Sequence, residues 1–438
     1  MSAIVGLILV LLALFGAPLF VVLGASGMAN FSAAGIPLVV MSEEHYKLAT
    51  NPHLITIPLF TLAGFLMAES RAADRLVRVS RALLGWLPGG LGIVVIASCA
   101  FFTTFTGASG VTIIALGGLL YPMLVRERYP EDFSLGLITS SGSIGLLFPP
   151  SLPIILYGIV ARTSIDQLFV AGIIPGTIFL TVLGGYSLFI GRKHKVNRTP
   201  FDFREAASTV WLAKYELAVP LVVLTAIYGI PGFTDGLVTI AEASAICAIY
   251  LLIIEVFVHK DIKLWGGDDE RPDLFKVIRE SIVMVGAIMI ILGVALGLTN
   301  YLVQEEVPMK ILAAIQDQID SRFTFLILLT VFLLIVGCLM DIFSAIIVVV
   351  PLITPIAEVY GIHPVHLGII FLANLEIGYI TPPVGLNLFI SSLAFGRPVV
   401  QLYRMALPFL FLMLTALLII TFNEDLSLWL VNKWVPSG

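Results

Sequence analysis

GLLFPPSLP, Gly145 to Pro153, sets Pro149 and Pro150 side by side in an apolar stretch. Proline removes a backbone donor, and its ring clashes with the preceding helical turn. In hydrocarbon no water replaces the lost bond, so interrupted backbone survives only where protein or a water-filled cavity covers it. Hydrocarbon is the setting here. Of 438 residues, 59% are hydrophobic and 12% charged, with a mean hydropathy of +1.04. A soluble domain has about 45–50% apolar and about 25% charged residues. At about 20 apolar residues per span, the chain has length for roughly ten to twelve crossings plus shorter re-entrant pieces. The formal net charge of −5 gives no sign of a nucleic-acid partner.

The proline pair has a counterpart in GYITPPVGL, Gly378 to Leu386. Gly378 follows Gly145 by 233 positions, and Pro382 follows Pro149 by the same interval. That interval also relates Pro122 to Pro355, Gly64 to Gly297, and Ile113-Ile114 to Ile346-Ile347. Several breakers held in one register mark two structural repeats, roughly 50–190 and 283–425, joined by extra helices between Lys214 and Val258. Residues alone do not say whether the repeats run parallel or inverted. Paired Gly/Pro-interrupted apolar segments point to a transporter's midplane binding site. Carbonyls freed before each proline pair can coordinate a cation, and half-helix N-termini can meet an anion. A proline kink in an ordinary spanning helix is the plainer alternative.

Charge marks the loops. Glu69, Arg71, Asp74, Arg75, Arg78 and Arg81 predict an amphipathic interfacial helix, and Arg126 to Asp132 form a second polar segment. The most basic loop, GRKHKVNR at Gly191–Arg198, is read as cytoplasmic. The apolar run Leu217–Val258, broken by GIPG at 229–232, fits two helices, and the mixed-charge loop Lys260–Arg279 follows. Met1–Gly24 lacks a basic start and exceeds a signal h-region, so it reads as a retained first helix. Cys99, Cys247 and Cys338 lie in apolar runs without a CxxC pair and read as buried small hydrophobes.

Polar residues cluster beside the breaks. FTTFTGASGVT, Phe101 to Thr112, offers Thr103, Thr104, Thr106, Ser109 and Thr112 next to Gly107 and Gly110. Hydroxyls and carbonyls suit a hard monovalent cation, although small residues and Ser/Thr also pack membrane helices together. ITSSGSIGLLFPPS adds Ser140, Ser141 and Ser143 before the first proline pair. In the second half Asp341 stands in a nearly uncharged run, Phe323–Ile353. A charge there costs about 2.5–3.5 kcal/mol on insertion scales, which leaves a cation or proton site, or an aspartate capping a broken helix. NLEIGYITPPVGLN supplies Asn374, Glu376, Thr381 and Asn387. Glu376 faces water or a cation. Glu242 is read as structural, with a partner on a neighbouring helix, and Arg162 as a solvated hairpin end or a substrate counter-ion. His363 and His366, two residues of an HPVH turn, read as solvated. HExxH, G-x-S-x-G and Walker patterns are absent; with no nucleotide loop, transport would draw on an ion gradient, not ATP.

TGASGVTIIALGGLLYPMLVRERYPEDFSLGLITSSGSIGLLFPPSLPIILYG, SIDQLFVAGIIPG and NLEIGYITPPVGLNLFI together resemble the large, DctM-like membrane subunit of tripartite ATP-independent periplasmic (TRAP) transporters, along nearly the whole chain. The resemblance implies an all-α, multi-pass elevator-type secondary transporter of the bacterial inner membrane. Its repeats would be inverted, with re-entrant helical hairpins and broken helices. It implies sodium-driven import of an organic acid anion such as a C4-dicarboxylate or sialic acid, two or more sodium ions, and two partners: a small four-helix membrane subunit and a periplasmic substrate-binding protein. Carried over by motif, one sodium site would use Gly107, Ser109, Ser143, Gly145, Pro149 and Pro150, and the other Gly337, Asp341, Gly378 and Thr381. Substrate would lie near Ser109, Asn374 and Asn387. Ala108 and Gly110 stand where a more serine-rich motif is expected. The expected division is an N-terminal scaffold with an interfacial arm (1–80), a first transport repeat (81–190), central scaffold helices with their flanking loops (191–305), a second transport repeat (306–400) and a C-terminal helix (401–438). Two rivals stand beside it: a stand-alone sodium–carboxylate symporter, and a membrane-embedded enzyme using Asp341 and Glu376.

Overall fold

The computed structural model describes residues 8–9, 11–12, 17–50, 52–197, 200–229, 236, 238–267, 271–316, 319 and 321–435. Half of the Met1–Gly24 stretch, the GIPG turn beyond Gly229 and parts of both charged loops therefore lie outside the described residues. What is described is helical, with a single isolated bridge between Lys263 and Asp273.

Seven helices are long and apolar enough to cross a bilayer among the described residues, or nine if two bent pairs each count as one span. That is fewer than the ten to twelve expected from apolar length. Five further apolar helices run only 10–17 residues, and three of them, Gly90–Thr106, Pro364–Gly378 and Leu386–Phe395, flank the breaks. Glu131–Leu147 and Leu152–Ala161 meet at 48° across the first proline pair.

The interval of 233 holds among the elements. Ser109–Arg126 and Ile342–Val359 are both 18 residues long, begin 233 positions apart, and carry Pro122 and Pro355 in register inside them. Gly90–Thr106 corresponds to Arg322–Leu339, Glu131–Ser141 to Pro364–Gly378, and Leu152–Ala161 to Leu386–Phe395. Both proline pairs are joined by cis peptide bonds. Gly64 and Gly297 share the register but not the role. A Cβ on Gly64 would strike the Phe105 carbonyl at 2.2 Å, whereas one on Gly297 would meet only Met41.

The polar segment after Glu69 forms the helix Ala72–Leu84, but one of its charges turns inward. Arg75 is buried with three acids: its guanidinium donates to Glu255 at 2.9 Å, to Asp261 at 2.5 Å and to Glu216. His259 Nε2 lies 3.4 Å from Glu216. A buried cation is tolerated when its hydrogen bonds are filled and its charge is matched, and here one arginine ties the arm to the central helices. Two further readings are corrected. Glu242 pairs with its own helix start, completing a capping box with Thr239 rather than bonding a neighbouring helix. The HPVH stretch is a solvated turn only at its start, where His363 is exposed. His363 caps Pro364–Gly378 through its ring nitrogen, and fully buried His366 meets the Ser427 hydroxyl at 3.0 Å and the Thr421 carbonyl at 3.2 Å. Arg162 is exposed at the C-terminal cap of Leu152–Ala161, and the three cysteines are buried and unpaired with one another.

Candidate functional site

Each half interrupts its backbone twice, and the interruptions meet. In the first half, Gly90–Thr106 ends on Gly107, whose φ of +63° suits glycine. Ala108 is extended, and a new helix starts at Ser109. The second interruption follows Glu131–Ser141: a short 3-10 turn, Ile144–Leu147, then extended chain through the buried Pro149-Pro150 pair into Leu152–Ala161. Close backbone contact joins the two. A Cβ on Gly107 would meet Leu152 at 3.0 Å, and one on Gly145 would lie 2.2 Å from the Ala100 carbonyl. Thr103 donates to the Gly142 carbonyl at 2.8 Å and Thr104 to that of Gly145 at 3.1 Å. Those two hydroxyls, which the sequence leaves open between a cation site and helix packing, satisfy broken backbone.

The second half repeats this layout with other side chains. Arg322–Leu339 ends, Met340 and Asp341 are extended, and Ile342–Val359 begins. Asp341 caps that helix, accepting from the Ser344 N–H at 3.0 Å and from its hydroxyl, so the capping alternative is what the geometry displays. Tyr379 accepts from the Ile342 N–H at 2.6 Å. Gly378 and Gly337 pack backbone to backbone: a Cβ on Gly378 would sit 2.6 Å from the Gly337 Cα. Thr381 donates to the Ile377 carbonyl, and Gly385 N–H to Cys338 O at 3.0 Å. Pro382 and Pro383 are exposed, unlike their twins.

The halves touch at their breaks. Asn387 donates to the Thr139 carbonyl at 3.2 Å and to the Ser143 hydroxyl at 3.4 Å. Thr139 bonds Ser391 at 2.8 Å. The Ser143 hydroxyl also donates to the Glu376 carbonyl at 3.4 Å, joining two residues 233 positions apart. Asn387, Ser143 and Glu376 are thus brought together. Asn374 sits on the same buried helix as Glu376, donating to the Ile370 carbonyl at 2.7 Å, and Ser109 is buried where its helix begins. An apolar cavity of about 330 Å³ lies beside Phe148 and Pro149 and is lined also by Pro220 and Leu224.

Oxygen donors remain to spare. The hydroxyls of Thr106, Ser140, Ser141 and Ser151 and the amide oxygens of Asn374 and Asn387 are buried without a hydrogen-bond partner among the described residues. Buried polar atoms are normally satisfied, and an all-oxygen donor set of this kind fits a hard cation. Ser151 was missed from sequence as a candidate, although it follows the first proline pair directly. Nothing in the sequence marked Tyr379, whose hydroxyl reaches across 37 positions.

Interrupted helices gathered inside a multi-pass membrane bundle define a membrane permease. The chain belongs to the DctM component family of the tripartite ATP-independent periplasmic transporters, whose pattern it matches over residues 5–426. It is 34% identical to the C4-dicarboxylate TRAP transporter large permease protein DctM of Pseudomonas aeruginosa, over 89% of this chain and 87% of that one. It is 33% identical to the isethionate TRAP transporter permease protein DctMQ of Oleidesulfovibrio alaskensis, over 93% of this chain, and spans 62% of that longer protein. The ectoine/5-hydroxyectoine large permease UehC of Ruegeria pomeroyi is 29% identical over 98% of both. A crystal structure of the Alcanivorax borkumensis YdaH transporter, described as having an unusual topology, shares the fold with a TM-score of 0.59 at 16% identity, over 91% of this chain and 89% of that one. The chain is a multi-pass protein of the bacterial inner membrane.

Proposed function

We propose that this chain is the transport-carrying subunit of a sodium-driven, binding-protein-dependent secondary transporter that imports an organic acid anion by an elevator movement. One observation carries the reading: the hydroxyl of Ser143 rests on the carbonyl of Glu376, its own counterpart at the 233 interval. A residue touching its counterpart is what a local two-fold relation between repeats produces, and inverted repeats meeting at interrupted helices are how secondary transporters build a midplane site. The scaffold is assigned to 1–80 and 191–305, with the mobile part carried by 81–190 and 306–400 and the C-terminal helix by 401–438. Sodium bound by the Gly107–Ser109 and Ser143–Pro150 oxygens, and by Gly337, Asp341, Gly378 and Thr381, would order the break tips. Cargo would then lie by Ser109, Asn374 and Asn387. The partners are a small membrane subunit and a soluble periplasmic binding protein; the chain's 62% share of the DctMQ relative leaves length for the former. Cargo identity rests with the binding protein, since relatives are named for C4-dicarboxylate, isethionate and ectoine.

The test is uptake into proteoliposomes holding the chain, its small subunit and the cognate binding protein, with cargo first identified by ligand screening on that soluble protein. Uptake should require sodium inside-directed gradients and should collapse in Asp341→Ala combined with Thr381→Ala. Uptake indifferent to sodium removal and to that pair overturns the reading. Uptake without the soluble protein would favour the stand-alone symporter.

A further inference from the structure

Three helix ends meet at the face that the basic loop marks as cytoplasmic. Glu131–Ser141 begins there, Ile173–Lys193 ends there and Val399–Phe422 begins there. Between them lies a cavity of about 500 Å³, within the range of about 300–1,000 Å³ that small-molecule sites occupy. Each helix gives it one ring: Phe133, Tyr186 and Phe409 touch mutually, with centroids 5.7, 5.6 and 5.3 Å apart. One charge of each sign lines the same cavity, Arg404 and Asp132, and both are exposed. Neither pairs with the other or with any other side chain among the described residues. The adjacent acid behaves otherwise, since Glu131 is taken by Arg397 and by the Tyr121 hydroxyl at 2.8 Å. Along two of these helices the outward surface is apolar. Phe189 is 58% and Phe411 64% exposed, and a Cβ on Gly185 would meet nothing within 4 Å.

We propose that this cavity binds a phosphatidylethanolamine of the cytoplasmic leaflet, with its phosphate on Arg404, its ammonium on Asp132 and an acyl chain between Ile173–Lys193 and Val399–Phe422. Pockets of this kind between spanning helices take lipid headgroups, and the guanidinium fork matches a phosphate's oxygens. Asp132 sets the choice among headgroups. A primary ammonium donates hydrogen bonds to a carboxylate, a choline has no N–H to give, and a phosphatidylglycerol brings no cation. The exposed apolar surface argues for a lipid over a soluble phosphoethanolamine, which has no chain to cover it. A lipid seated there bridges the C-terminal helix to the first repeat, so its binding should stabilise their packing.

Native mass spectrometry of the purified full-length chain, offered phosphatidylethanolamine, phosphatidylcholine and phosphatidylglycerol with the same acyl chains, tests it. The wild type should retain the ethanolamine lipid in preference to the other two, and that lipid should raise its melting temperature most. Arg404→Gln should weaken retention roughly tenfold or more, the least that a hydrogen bond to a charged group is worth. Arg204→Gln, which removes an exposed cation elsewhere on the same face, should leave retention unchanged. Asp132→Asn should bring the ethanolamine and choline lipids to parity. Equal retention of all three lipids by the wild type overturns the proposal, as does a preference for phosphatidylglycerol. So does an Arg404→Gln variant that folds and retains lipid like the wild type. If Arg404→Gln does not fold, Asp132→Asn decides: an ethanolamine preference that survives it overturns the proposal. Chain-free phosphoethanolamine that raises the melting temperature as much as the lipid overturns it too. None of these readouts involves cargo uptake, so the lipid site and the transport reading fail separately.

Discussion

Arg75→Ala removes the one cation from a buried cluster and strands three carboxylates. Glu216 and Glu255 have no side-chain exposure and Asp261 has 11%. Hydrogen bonds to charged groups are worth about 1.5–3 kcal/mol each, but they do not add, because the arginine's own desolvation opposes them. Removing one partner of a buried ion pair costs about 3–5 kcal/mol, and this figure applies to the arm helix, whose attachment to the central helices runs through Arg75. Thermal unfolding of the purified chain, followed by intrinsic fluorescence, should show a midpoint several degrees below wild type. The decisive comparison is Arg75→Met with Glu216→Gln and Glu255→Gln. That variant leaves no uncompensated glutamate, and Asp261 keeps the Arg71 backbone N–H at 3.1 Å, so it should recover most of the loss. If Arg75→Ala melts with the wild type, the cluster is not holding the arm. If the triple variant melts no higher than Arg75→Ala, packing rather than stranded charge explains the loss.

Gly145→Ala and Gly378→Ala should each destabilise by about 1–3 kcal/mol or more, because the added methyl meets backbone at under 3 Å. Gly118→Ala, with nothing within 4 Å, should be neutral or stabilising on the same melts. Stability should also fall as pH drops below about 6.5, the ordinary histidine value. Burial, helped by the neighbouring Arg75, holds the His259 imidazole below that value. The unfolded chain therefore binds a proton the folded chain resists, and stability rises with pH across that window. His259→Gln should flatten this part of the melting-temperature profile; a profile unchanged by the substitution refutes the assignment.

The breaks were legible in the sequence because they are backbone events. A doubled proline and a glycine that must accept close backbone leave residues no other chemistry would choose, and their register gave both interruptions to within a residue or two. The helix starts at Ser109 and Ile342 fall where that register puts them. Side-chain pairing was not legible. Arg75 reads as one more charge on an amphipathic helix, and its partners lie 141 to 186 positions away. His366 reads as loop because a proline stands two residues before it, yet proline is at home in the first turn of a helix, and that helix buries the ring.

The two halves reach the same backbone by different means. Thr103 and Thr104 donate to carbonyls of the first break, while in the second the Gly385 N–H fills the Cys338 carbonyl, and Tyr379 and the capping Asp341 accept from the N–H groups of Ile342 and Ser344. A pattern kept in glycine and proline but not in polar side chains implies that the shape is shared and the chemistry divided. Ala108 stands where the second half has Asp341, and Ser143 where it has Glu376, so both acids fall in one half and the hydroxyl cluster in the other. The contact between the halves therefore sets acids on one side and hydroxyls on the other, on backbone whose breaks fall in the same register.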